Sequence, residues 1–134
     1  MTVLAKRSYT APALGVEMQA FWEHTQAGVL PIPYCEVCGK PHWYPRAVCP
    51  HCWGTTIALR PSSGRGQIYS YTVMRREKQP YVLAFVQLNE GVTLMTHIVD
   101  CDPDRLAIGQ RVRVGFEPSQ EGLQIPVFHT EQAP

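Results

Sequence analysis

Between Ala13 and Ala27, Leu14, Met18, Phe21, Trp22 and Thr25 recur at spacings of three and four, which predicts a helix that Gly28 stops. Beyond position 57 the period changes to two. Ile57 and Leu59 alternate, Pro61-Ser62-Ser63-Gly64-Arg65-Gly66 breaks the run, and Gln67 to Met74 resumes as a strand rich in Tyr, Val and Thr. Tyr81 to Leu88 reads as a second strand, and Asn89-Glu90-Gly91 turns it back into a third over Val92 to Val99. Asp102-Pro103-Asp104 opens a short helical or turn connection closed by Gly109, ahead of strands over Arg111–Phe116 and Gln124–Phe128. Five strands with a small helical link between the third and fourth fit an OB barrel. The expected architecture is mainly β, divided into an N-terminal helical segment over 1–30, a zinc ribbon over 31–60 and an OB-fold domain over 61–134.

Composition narrows the functional classes. The 134 residues are 45% hydrophobic and 17% charged, which is enough apolar area for a globular domain. The longest apolar run, near Tyr81 to Val86, falls far short of the roughly 20 residues that span a bilayer, and no membrane role is expected. Residues 1–7 place their charges after a very short apolar patch, unlike a secretory leader, so a cytoplasmic location is expected. A net charge of +1 supplies no large field for nucleic acid.

Four of the five cysteines form a doubled motif, Cys35-x2-Cys38 and Cys49-x2-Cys52, separated by ten residues. Two residues between cysteines allow a tight knuckle to aim both sulfurs at one point, and two knuckles complete a tetrahedral thiolate shell. Gly39 suits the first turn, whereas the second has Trp53 where glycine would be easiest, with Gly54 one place late. Four thiolates close the shell, so the metal is structural; zinc is the expected ion, and the ligand set alone also admits iron. With the cysteine set complete, His42 and His51 are expected to be supporting or surface groups.

The ordered set Phe21-Trp22, Cys35-x2-Cys38-Gly39, Tyr44-Pro45-Arg46, Cys49-Pro50-x-Cys52, Ser63-Gly64-Arg65-Gly66 and Tyr69-Ser70-Tyr71-Thr72 closely resembles the acyl-CoA-associated zinc-ribbon/OB-fold family. Pro80-Tyr81, Leu88-x-Glu90-Gly91, Cys101-Asp102-Pro103 and Ile108-Gly109 continue the likeness, which runs over residues 15–129. This family is also catalogued as domain of unknown function thirty-five. The resemblance implies a rubredoxin-like ribbon and an accessory subunit bound to a thiolase-like enzyme that acts on acyl-CoA thioesters, with the catalytic residues in the partner. It also implies that CoA or acyl-CoA is met through that partner.

The chain's own residues offer no catalytic set. Cys101 is the one cysteine left over, and its neighbours Asp100 and Asp102 oppose a thiolate. His24, His97 and His129 are scattered and read as ordinary histidines. Candidates for CoA or partner contact are Arg46, Arg65, Arg75, Arg76 and Lys78 for phosphates, and Phe21, Trp22, Tyr69 and Tyr71 for apolar contact. Strand alternation predicts Tyr69, Tyr71 and Val73 on one face, with Ile68, Ser70, Thr72 and Met74 on the other. Phe21 and Trp22 pack either on this chain or on another subunit. A second class of function, single-stranded nucleic-acid binding, fits the two folds but lacks a basic groove.

Overall fold

The computed structural model describes Leu4 and residues 7–131, which leaves most of the segment behind the leader reading outside the described residues. A 3-10 turn, Val16–Met18, leads into helix α1, Gln19–Gln26. The helix is shorter than the predicted span because neither Gly15 nor Met18 provides a side-chain cap. Gly28, at φ +78°, ends it as expected.

Strands β1, Pro31–Cys35, and β2, Ile57–Pro61, form an antiparallel pair that frames the ribbon. Strand β1 has no sequence signal because Pro31 and Pro33 argue against a strand. It survives because its second side carries only an isolated bridge, Tyr34 to Pro41, where the Pro33 carbonyl accepts from the His42 amide at 3.1 Å and no proline amide is required.

The remaining strands are β3 (Arg65–Met74), β4 (Tyr81–Leu88), β5 (Thr93–Ile98), β6 (Arg111–Pro118) and β7 (Gln124–Thr130). They close into a barrel in the order β3-β4-β5-β7-β6, with β6 returning to β3. The pairings are antiparallel except for β5 against β7, where Ile98 meets Phe128. A 3-10 turn at Pro103–Arg105 bridges β5 and β6, and Asp102 accepts a hydrogen bond from the Asp104 amide at its start. Mostly β with one helix, a ribbon and a closed five-stranded barrel, the architecture is the expected one.

Strand β3 departs from simple alternation. Its register against β4 jumps from Ile68 opposite Val86 to Ser70 opposite Phe85, which leaves Tyr69 as the extra residue of a bulge. One inserted residue reverses the pleat, so Ile68 before the bulge and Tyr71 and Val73 after it all face the core. The shared face predicted for Tyr69 and Tyr71 is therefore corrected. Tyr69 is exposed, while Tyr71 packs inward and its hydroxyl donates to the Leu106 carbonyl at 3.0 Å.

Ile68, Val82, Val86, Leu88, Val112 and Phe128 fill the barrel, and Phe21, Leu30 and Ile32 from α1 and β1 belong to the same buried cluster. Helix, ribbon and barrel thus share one core. The Gly64-Arg65-Gly66 segment stitches the seam. Gly64 adopts φ +71°, and its carbonyl accepts from the Val114 amide at 2.7 Å. At Gly66 a Cβ would strike the Gln87 carbonyl, so only glycine lets β3 approach β4 there. Residues 8–11 also lie on the barrel: the Gln120 amide donates to the Tyr9 carbonyl at 2.8 Å, and the Ala11 amide donates to Glu121 at 2.9 Å.

Candidate metal centre

Cys35 ends β1, and Cys38 follows in the turn beyond it. Cys49 and Cys52 occupy a second turn just ahead of β2. The two turns repeat each other closely. Gly39 donates to the Cys35 carbonyl at 2.8 Å, as Trp53 does to Cys49 at 3.0 Å; Cys35 donates to the Lys40 carbonyl at 3.0 Å, as Cys49 does to Gly54 at 2.8 Å. The residue that closes each knuckle is left-handed, Gly39 at φ +77° and Trp53 at φ +68°. Trp53 thus holds a conformation that costs a non-glycine residue about 1–2 kcal/mol.

All four sulfurs lie within 4.8 Å of one another. Cys35 and Cys52 are 3.5 Å apart, and Cys38 and Cys49 are 3.8 Å apart. A tetrahedron with metal–sulfur bonds of about 2.3 Å has edges of about 3.8 Å, so the sulfurs already stand where a zinc ion would need them. Backbone amides support them: His51 donates to Cys49 Sγ at 3.3 Å and Gly54 to Cys52 Sγ at 3.4 Å. Such donors offset the excess negative charge of four thiolates on a divalent ion. The Cys38 amide does the same for Cys35, and against opposing burial it lowers that thiol to about 7. At Cys52 the Gly54 amide works in the same sense, but burial and the three neighbouring sulfurs outweigh it and push the thiol up to about 12.

Neither nearby histidine joins the sulfur cluster. His42 is buried with Nδ1 3.2 Å from the Tyr44 carbonyl, and exposed His51 has Nε2 3.3 Å from the Pro41 carbonyl. Cys101 is buried under the barrel, and burial, then Asp102 and Asp100, push its thiol up to about 11. That is the environment of an inert cysteine.

The contact candidates do not converge. Arg65 pairs with Glu131 at 2.8 Å and Arg75 with Asp104 at 3.1 Å, so both answer the barrel's own carboxylates. Arg46 sits in a cleft with Glu17 and Ala20, away from the β3–β4 loop that carries Arg75, Arg76 and Lys78. Phe21 is only 3% exposed and belongs to this chain's core, where its ring meets Trp43 edge-on at 5.7 Å. Trp22 remains half-buried. It borders a cleft that sequence reasoning missed, because its walls come from α1, the ribbon, β4, β5 and β7.

A closed four-sulfur clamp fused to an OB barrel defines a zinc-ribbon/OB-fold module. Residues 22–58 match the family described as "ChsH2, rubredoxin-like zinc ribbon domain", and residues 59–117 match "ChsH2, C-terminal OB-fold domain". The chain belongs to this ChsH2/DUF35 family. It is 38% identical over 95 residues to a DUF35 domain-containing scaffold protein of Methanothermobacter thermautotrophicus, covering 65% of this chain and 71% of that one. It is 36% identical over 115 residues to a probable enoyl-CoA hydratase alpha subunit of Thermomonospora curvata. That match takes in 81% of this chain but spans only 36% of the relative's length. Among solved structures, a chain of the Ltp2-ChsH2(DUF35) aldolase aligns with a TM-score of 0.81 at 31% identity, covering 90% of this chain and 98% of that one.

Proposed function

We propose that this chain is a non-catalytic subunit that binds and stabilises a thiolase-like enzyme acting on acyl-CoA thioesters. The enzyme would be a sterol-carrier-type thiolase, an acyltransferase or a retro-aldolase. One observation carries the reading. The likeness to a chain of the Ltp2-ChsH2(DUF35) aldolase extends over 98% of that chain, so the shared fold is one found in an aldolase assembly. Zinc held by Cys35, Cys38, Cys49 and Cys52 has a structural role in this reading, because four sulfurs leave no open position for a substrate or water. Exposed Arg46, Arg76 and Lys78 are candidates for the phosphates of CoA held by the partner.

The test is co-expression with a sterol-carrier-type thiolase-like enzyme of the same organism, followed by affinity capture and gel filtration. The expected result is a stable hetero-oligomer with better soluble yield and higher activity of the partner. Separate elution with unchanged partner activity would overturn the proposal.

A further inference from the structure

Resting on that reading, we infer that the partner enzyme seats an uncharged apolar segment in the cleft between α1, the ribbon and the outer face of the barrel. The cleft encloses about 440 Å3. Trp22 of α1 forms one wall, Trp43 and Tyr44 of the ribbon another, and Phe85, Met95 and Ile125 the barrel side. No Asp, Glu, Lys or Arg lines it. Phe85 and Met95 stand directly opposite each other in the β4–β5 register and are 44% and 59% exposed. An outward sheet position in contact with solvent ordinarily carries a polar residue. Two large apolar side chains facing each other there, continuous with two tryptophans, make a contiguous surface of the kind that marks an interaction site.

Charge identifies the class of occupant. A nucleic-acid strand stacked on these rings would need cations along its phosphates, and the cleft supplies none. An uncharged protein segment matches, and Trp, Tyr, Phe and Met are the side chains enriched at such contacts. The partner enzyme is the protein to expect. A chain of the solved Ltp2-ChsH2(DUF35) aldolase aligns with this one over 98% of its length, so a fold of this kind is found in an assembly that is an enzyme. The walls are also preformed. Phe21 braces Trp22 edge-on at 5.1 Å and Trp43 at 5.7 Å, so docking need not order them.

Trp53 is not among the lining residues, and the chain has three tryptophans, so Trp53→Phe leaves Trp22 and Trp43 as the reporters. The full chain carrying this substitution is labelled with 5-fluorotryptophan, checked for bound zinc and mixed with the unlabelled thiolase-like enzyme used in the co-expression test. Both fluorine resonances are expected to shift on complex formation. Met95→Arg, and separately the milder Met95→Gln, is expected to raise Kd, by about tenfold or more for the arginine. Arg105→Ala, outside the cleft lining, should leave Kd unchanged. A complex whose fluorine resonances stay put and whose Kd ignores Met95 overturns this inference while the subunit reading stands. No complex with the unsubstituted chain overturns the reading itself. Resonances that shift with the chain's own concentration, before partner is added, place a second copy in the cleft and also overturn the inference.

Discussion

At the scale of single residues, the ribbon is held by chemistry that the cysteines alone define, and by one residue that works against it. With the sulfurs already at tetrahedral spacing, metal binding supplies folding free energy on the order of 10 kcal/mol. Stripping the metal with a strong chelator is expected to unfold residues 31–61, seen as loss of amide protection across both knuckles by hydrogen exchange. Cys35→Ser should abolish stoichiometric zinc in elemental analysis. Trp53 opposes the clamp, because it is left-handed and 79% exposed, with little packing to offset the strain. Trp53→Gly is therefore expected to raise the stability of the zinc-loaded protein by about 1 kcal/mol, read by denaturant titration; an unchanged or lower midpoint would show that the indole earns its place by packing.

Two elements turn on local geometry. In β3 the bulge at Tyr69 decides which side chains face the core, and two residues upstream of Ile68 the strand needs Gly66 against the β4 backbone. Gly66→Ala is expected to cost about 3 kcal/mol, since backbone must move to admit the methyl group. Calorimetry of the purified variant measures it. At the barrel's edge, Arg7 lies over the Tyr81 ring at 3.8 Å, and His97 packs against Tyr81 at 4.9 Å and Tyr9 at 5.8 Å. Burial, and then Arg7, lower the His97 pKa below its usual 6.5. The folded state therefore binds fewer protons here than the unfolded chain. Stability from neutral His97 is full above pH 6.5 and falls as acid protonates the unfolded state preferentially. Buried His42, lowered by desolvation, acts in the same direction. Melting temperature is expected to drop between about pH 7 and about pH 5.5, with a shallower slope in His97→Gln.

For the whole molecule, Phe21, Leu30 and Ile32 join α1 and the ribbon to the barrel's core. The zinc-loaded protein is thus expected to melt in one cooperative transition rather than two, and loss of zinc to lower the barrel's melting temperature as well. Separate transitions in calorimetry, with the barrel's unmoved, would show the parts to be independent. The same shared core fixes the cleft walls relative to one another, so a partner would meet a rigid surface. Among the described residues no helix is long and apolar enough to cross a membrane.

The sequence by itself determined the cysteine clamp, the β strands after the ribbon and the barrel class. Each of these rests on short-range spacing: two residues within a knuckle, and alternation along a strand. It carried the family likeness for the same reason, since motif order is a property of the chain. What it left hidden depends on contacts between distant segments. Strand β1 exists only because β2 pairs with it despite two prolines, and a bulge in β3 reversed the face of Tyr71. Arg65 and Arg75 were claimed by Glu131 and Asp104, residues 66 and 29 positions away. The cleft followed the same rule, because its apolar walls are separated along the chain and become one surface only when helix, ribbon and barrel close on a common core.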